Sequence, residues 1–368
     1  MRLAWLELRD FRNHAHTSIA TMPEGLTVAV GPNGEGKTNL LEGMHVLYAL
    51  ASPRTSTNEP LVREGAEHGY VRGEFETRDG KMLVEVEIPR KGASRVKLNR
   101  SPVRRKRDLR THVRAVLFGP FDLPIVIGDP SKRRAFLDEA VVALHPARDT
   151  LTTAYDKVLR QRNRLLKEHE GRGAPPGLDA WDEELIQAGV RVIRARAEAV
   201  SALERPASEA FTDLAGYELL VRYLPNVEAP GDTEKAVAAF RERLVERRSD
   251  ELIRRTSLVG PHRDDLELSV REFGARAFAS HGETWAAALC LRLGLASAVA
   301  DEVGEPPLLL IDDPYSALSP DRRDRISERL RERPGQIVIS VADDADVPSR
   351  ADAVWDIRAG TVTPREAA

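Results

Sequence analysis

The chain has 368 residues and carries 58 acidic against 55 basic side chains, for a formal net charge of −3. It is longer than one small domain requires, and its charge balance excludes a protein that coats nucleic acid by bulk positive charge, so any basic surface must be local. A single cysteine, Cys290, excludes an internal disulfide, and neither a leader-like segment nor an apolar run of membrane-spanning length is present, which sets the expectation of a soluble, cytoplasmic protein with no membrane partner.

Leu26-Thr-Val-Ala-Val30 reads as a buried strand, and Asn39 to Leu50 as a helix. Between them, Gly31-Pro-Asn-Gly-Glu-Gly-Lys-Thr38 fits the phosphate-loop pattern G-x-x-x-x-G-K-[ST] at every fixed position. In that strand–loop–helix setting, glycines turn successive N–H groups toward one anion, and the helix N-terminus adds its positive dipole end. Gly31, Asn33, Gly34, Gly36, Lys37, Thr38 and Asn39 are therefore candidate nucleotide ligands. Lys37 would reach the β- and γ-phosphates, and the Thr38 hydroxyl would hold Mg²⁺.

Val71–Thr77 and Met82–Ile88 read as strands joined at Arg78-Asp-Gly80, a hairpin signal, with Arg95–Leu98 a further short strand. From Ser131 the apolar period turns helical. It runs through Phe136, Leu137, Ala140, Val141 and Leu144, then Val158, Leu165 and Leu166. After the loop Gly171–Gly177 it resumes with Trp181, Leu185, Val192 and Ile193, and helical sequence continues to about Arg255. Strand pattern returns at Leu266–Val270, Pro307–Ile311 and Gln336–Val341, with a helix opening at Ser319-Pro320. The fold expected is α/β: a nucleotide-binding head in two sequence halves, 1–115 and 296–368, with a mainly helical lobe, 116–295, inserted between them.

Leu308-Leu-Leu-Ile-Asp-Asp313 supplies the acidic partner that a phosphate loop needs. Asp312 would organise Mg²⁺, and Asp313, next in line, would orient water or accept its proton. Upstream, Ser280-His-Gly-Glu283 opens an apolar helix. Read locally it is a serine-capped helix start. In the order phosphate loop, Ser280 loop, acidic strand, it is similar to the S-G-G-Q signature of ABC-type ATPases, which binds the γ-phosphate held by an opposite subunit.

These blocks together resemble the RecF family of recombination mediators, among the SMC/Rad50-like ABC ATPases, over nearly the whole chain. The resemblance rests on Leu8-Arg-Asp-Phe-Arg-Asn13, Gly31 to Glu42, Gly128-Asp-Pro-Ser-Lys-Arg-Arg-Ala-Phe-Leu-Asp138, Thr256-Ser-Leu-Val-Gly-Pro-His-Arg-Asp-Asp265 and the Ser280 loop. There is no room for a long coiled coil. The resemblance implies an ATP- and Mg²⁺-dependent homodimer on double-stranded DNA near single-strand gaps, aiding RecO and RecR in loading RecA, with slow ATP hydrolysis used as a switch. It implies that Arg12 contacts the nucleotide and that Ser280, Gly282 and Glu283 act across the dimer. The chain departs from the wider ABC pattern in having Glu283 for glutamine, Ser319 for the D-loop aspartate, and no switch histidine in Ile339–Asp343. These departures bear on hydrolysis more than on binding.

Between Arg90 and Arg114 lie eleven Lys or Arg residues, one acid (Asp108) and no Phe, Tyr or Trp. Arg104, Arg105, Lys106 and Arg107 form its densest cluster. Such a run is either a solvated face or a seat for duplex phosphates, and without aromatics it does not suggest stacking on single strands. Arg191, Arg194 and Arg196 read first as a solvated helix face and second as a DNA contact. Two other classes remain open on sequence: the ATP subunit of a transporter, and a P-loop kinase of small molecules. The first conflicts with the helical insertion, and the second has no use for a signature loop.

Overall fold

The computed structural model describes residues 1–103, 105–171, 173–228 and 231–365. Its frame is a pair of six-stranded sheets with the phosphate-loop helix between them. One is antiparallel, in the order β2-β1-β4-β5-β6-β7, and comprises β1 (Arg2–Phe11), β2 (His14–Ile19), β4 (His68–Thr77), β5 (Gly80–Pro89), β6 (Arg95–Leu98) and β7 (Ser101–Pro102). The other runs β15-β14-β3-β13-β12-β8, from β3 (Leu26–Val30), β8 (Ala115–Phe118), β12 (Leu308–Asp312), β13 (Ile337–Val341), β14 (Ala353–Arg358) and β15 (Thr361–Pro364). All its pairings are parallel except β14 with β15. Every residue of β3, β8, β12 and β13 is buried, as a parallel sheet covered on both faces demands.

Helix α1 (Lys37–Ala49) fills one side of that sheet. Its Leu40, Leu41, Met44 and Leu47 share a core with Leu6 and Phe75 of the antiparallel sheet and with Leu308, Leu310 and Val338 of the parallel one. The opposite side packs on α4 (Pro130–Leu144), α6 (Leu178–Ala215) and α9 (His281–Val303), through Val28, Phe118, Ile311 and Ile339 among others. Shorter helices complete the chain: α2 (Lys106–Arg110), α3 (Leu123–Ile127), α8 (Ala275–Phe278) and α10 (Pro320–Glu332). Helices α5 (Leu151–Glu168) and α7 (Thr233–Arg254) lean on α6, which is buried against its neighbours along its length rather than standing out as a coiled-coil arm.

The helical reading to Arg255 needs correction. Leu219-Leu-Val-Arg-Tyr-Leu224 is a strand, β9, paired with β10 (Asp265–Val270), which also pairs with β11 (Phe273–Gly274). Left-handed Gly216 (φ 85°) stops α6, and the next residues alternate between buried and exposed, a period-2 pattern that helix-length averaging hides. Likewise the hairpin turn is Arg78-Asp79, with Thr77 paired to Gly80. The breaks drawn at 115/116 and 296 fall inside β8 and α9, so we propose that the inserted lobe begins after Phe118 and ends near Ser280.

Thr256–Asp265 binds that lobe together. Asp264, fully buried, accepts Arg196 Nη1 (2.9 Å), the Asn226 N–H (2.8 Å) and the Tyr223 hydroxyl, while Arg133 grips Asp265 through Nε and Nη2 at 2.5 and 2.9 Å. Close by, buried Arg162 donates to Asp182 (2.7 Å), Glu251 (2.6 Å) and Ser257 Oγ (2.7 Å). The His262 ring sits between the Tyr155 hydroxyl (2.6 Å at Nδ1) and the Ser257 carbonyl (3.1 Å at Nε2), and burial pushes its pKa down to about 4.

Candidate nucleotide site

The phosphate loop leaves β3 at the carboxyl edge of the parallel sheet, where open α/β folds place ligands. Gly34 (φ 89°) and Gly36 (φ 114°) hold left-handed backbone, which a side chain resists. At Gly36 a Cβ would also meet the Asn13 amide at 2.7 Å. The resulting cleft, about 290 Å³, is lined by Asn33, Gly34, Gly36, Lys37, Thr38 and Asn39. Arg54, Pro120, Asp312, Asp313, Ser340 and Ala342 complete its wall. Larger cavities exist among the described residues, but this one joins the phosphate loop to the acidic strand end.

Lys37 Nζ donates to the carbonyls of Gly31 (2.5 Å) and Pro32 (2.9 Å). Burial holds its pKa below the usual lysine value, opposed by Asp312, Asp313 and Glu35. Thr38 Oγ1 lies 2.9 and 2.8 Å from the two Asp312 oxygens, and Ser340 Oγ donates to Asp312 Oδ1 at 2.7 Å. A hydroxyl and a carboxylate in contact, with room for phosphate oxygens beside them, form the hard oxygen set that Mg²⁺ prefers. The residues therefore fit the ion: Thr38 and Asp312 would hold it, and its charge would neutralise the phosphates. Asp313 sits in left-handed backbone (φ 54°), its N–H on the Ser340 carbonyl (3.2 Å). Burial, and then Asp312, raise its pKa, the condition for a carboxyl group that takes up a proton.

Arg12 stands beside this cleft rather than in it. Its Nε and Nη2 grip buried Glu42 at 2.8 and 2.7 Å, and Nη1 reaches the Pro60 carbonyl at 2.8 Å. Sequence reading missed the arginine that does line the cleft. Arg54 Nη1 donates to Asn39 Oδ1 (2.8 Å) and shares Glu42 (3.1 Å). Its only sequence signal is the Ser52-Pro53 turn directly after the phosphate-loop helix. Ser340, the hydroxyl at the end of β13, and His14, behind the loop, were missed as well.

Ser280 caps α9: its Oγ accepts the Glu283 N–H (3.2 Å), and Glu283 Oε2 accepts the Ser280 N–H (2.8 Å). Glu283 also takes the Tyr217 hydroxyl, which holds its pKa down to about 2. The local reading, a capped helix start, is thus realised in full. None of Ser280, Gly282 or Glu283 lines the cleft of its own chain, and Ser280 is exposed. Among the basic candidates, Arg105 is exposed and Arg107 lies 3.9 Å from Asp108. Arg104 lies outside the described residues, and Lys106 is described by its backbone alone, as the first residue of α2. Arg196 is no surface contact: it is buried between Asp138 (2.8 Å) and Asp264.

Fold and cleft together define the head of a P-loop, ABC-type nucleotide-binding protein. Residues 2–361 match the RecF/RecN/SMC N terminal domain family. The chain is 39% identical to the DNA replication and repair protein RecF of Cutibacterium acnes, over 93% of both chains. It is also 39% identical to RecF of Streptomyces avermitilis, over 98% of this chain and 99% of that one. A solved structure of the recombination mediator RecF with ATP, in the RecFOR pathway, superposes with a TM-score of 0.87 at 28% identity, over 99% and 97% of the two chains. An Smc head from Pyrococcus furiosus matches in fold, with a TM-score of 0.58 at 17% identity over 99% and 95%. The chain belongs to the RecF family.

Proposed function

We propose that this chain is an ATP-dependent DNA-binding protein of recombinational repair, acting as a homodimer that ATP joins. One observation carries the reading. The cleft has its phosphate loop, lysine and Thr38–Asp312 pair in one chain, while the Ser280 loop stands exposed and outside it. In a two-fold dimer each Ser280 loop closes over the other copy's cleft. The Ser280 hydroxyl and the Gly282 N–H, at the start of α9, then meet the γ-phosphate.

In that assembly Lys37 and the loop N–H groups hold the phosphates, and Thr38 and Asp312 the Mg²⁺. Asp313 positions water for slow hydrolysis, which releases the joined heads. The basic stretch that holds exposed Arg105 and half-buried Arg107 adds sequence-independent affinity for duplex phosphates beside single-strand gaps. The RecF-ATP structure is of the RecFOR pathway. By kinship with it, the partners of this chain are RecR and RecO, and the outcome is RecA loading.

Sedimentation with and without Mg-ATP tests the dimer. A dimer that forms only with ATP, and that Ser280→Arg abolishes, is the expected result; a monomer under both conditions overturns it. DNA binding across gapped, duplex and single-stranded substrates at fixed salt tests the rest. Duplex affinity should rise with ATP and fall steeply with salt, and equal affinity with and without ATP would remove the switch.

A further inference from the structure

His14 is fully buried behind the phosphate loop, at the turn between β1 and β2. Its Nε2 lies 3.1 Å from the Gly36 carbonyl, and its Nδ1 lies 2.8 Å from Thr17 Oγ1. A carbonyl only accepts, so Nε2 must carry a proton to bond it. The Thr17 hydroxyl spends its own proton on the Gly360 carbonyl, at 2.8 Å. Thr17 Oγ1 therefore faces Nδ1 with lone pairs only. Both ring nitrogens look at acceptors, and all three bonds can be made together only by an imidazolium. His262 gives the contrast within the same chain: its Nδ1 faces a tyrosine hydroxyl free to donate and its Nε2 a carbonyl, a pair that neutral imidazole satisfies.

The Gly36 carbonyl belongs to the same peptide unit as the Lys37 N–H, the first free donor of α1. A charged donor on that carbonyl polarises the unit and sharpens the N–H that a phosphate would accept. The bound anion in turn favours positive charge behind the loop, whereas without it burial disfavours the charged ring. Charged side chains on the three turns that enclose the ring do not neutralise it. Arg12 is held by Glu42, Glu35 bonds the Ala359 N–H, Lys37 bonds the Gly31 and Pro32 carbonyls, and Arg358 is exposed.

The geometry points to His14 as a proton-linked positioning residue of the phosphate loop, taking up a proton from solvent when a nucleoside triphosphate binds. The inference rests on nucleotide binding at this loop as proposed above. Burial holds the His14 pKa below its ordinary 6.5 before binding, and the phosphates raise it afterwards. The sign follows: binding gains strength as pH falls through the bound-state value, by up to about tenfold per pH unit between the two values.

The test is calorimetry of Mg-ATP binding at fixed pH in buffers of different ionisation enthalpy, repeated from about pH 5 to 8. Wild type should take up more protons than His14→Gln, a neutral donor, and than Thr17→Val, which removes one acceptor and lets the neutral ring serve. The ring ¹⁵N shifts of His14 in wild type, with and without Mg-ATP, give the same answer without a variant. Equal proton uptake in wild type and both variants, or a ring neutral in the bound state throughout, overturns the inference and leaves nucleotide binding standing. Absence of binding at every pH overturns both.

Discussion

The phosphate loop and the Thr256–Asp265 block both carry the family resemblance, and the structure puts them to opposite uses. In the block and against it, side chains answer one another: Asp264 meets arginine, tyrosine and a backbone N–H, and Arg162, which reaches the block at Ser257, also meets two carboxylates. Asp264 and Arg162 are buried and fully engaged by these partners. At the phosphate loop, Lys37 falls back on its own loop carbonyls and Thr38 on Asp312, provisional contacts that phosphate and Mg²⁺ would take over. A motif whose polar groups satisfy one another is a clasp, and one whose groups are only parked is a site. The family resemblance alone does not separate the two.

Breaking each stretch should expose that difference. Arg162→Ala leaves Glu251 and Asp182 buried beside an empty place, and removing one partner of a buried pair costs about 3–5 kcal/mol. Urea unfolding should show that loss, and a change under about 1 kcal/mol, the size of a surface pair, would mean the block is no clasp. Lys37→Ala should shift the unfolding midpoint far less. Its effect should fall on Mg-ATP affinity, by about 10–100-fold, the worth of one charge-assisted hydrogen bond to phosphate. A variant that unfolds but still binds would reverse the assignment. Asp312→Asn should keep the Thr38 contact and lose most of the Mg²⁺ dependence of binding, read by titrating the ion at fixed ATP.

How far the sequence carried depends on which residues touch near neighbours. The phosphate loop, the acidic strand end and the Ser280 cap are written in runs of fixed spacing, and each stands where its run placed it. Strand β9 was hidden because six alternating residues sit between two long helices. Arg54 and His14 were hidden because their roles depend on folds of the chain far apart in sequence. Arg54 reaches the cleft only because the loop after α1 turns back on it. His14 matters through Gly360, which β14 and β15 bring from the other end of the molecule. Arg196 shows the opposite error: it read as a surface arginine, and it is buried against Asp138 and Asp264, carboxylates that no local pattern announces.

The smallest effect expected is also the sharpest test of the Ser280 loop, a finished cap that we propose also serves as half of a site across the dimer. Glu283 closes the capping box, accepts from Tyr217, and has Arg271 at 3.5 Å, itself over the Tyr217 ring. Its pKa falls from 4.5 to about 2, chiefly through the Tyr217 bond. For a carboxyl group depressed on folding, the stabilisation is whole above the unfolded value. It is lost as pH falls from about 4.5 to about 2. Other carboxylates titrate in that window, so the quantity to follow is the stability difference between wild type and Glu283→Gln. The difference should be about 1 kcal/mol at neutral pH, the worth of a cap, and should shrink across the window. Because glutamine can still bridge to the Ser280 N–H, ATP-dependent dimerisation should survive in this variant and fail in Ser280→Arg. If Glu283→Gln instead abolishes the dimer at unchanged stability, the carboxylate belongs to the site and not to the cap.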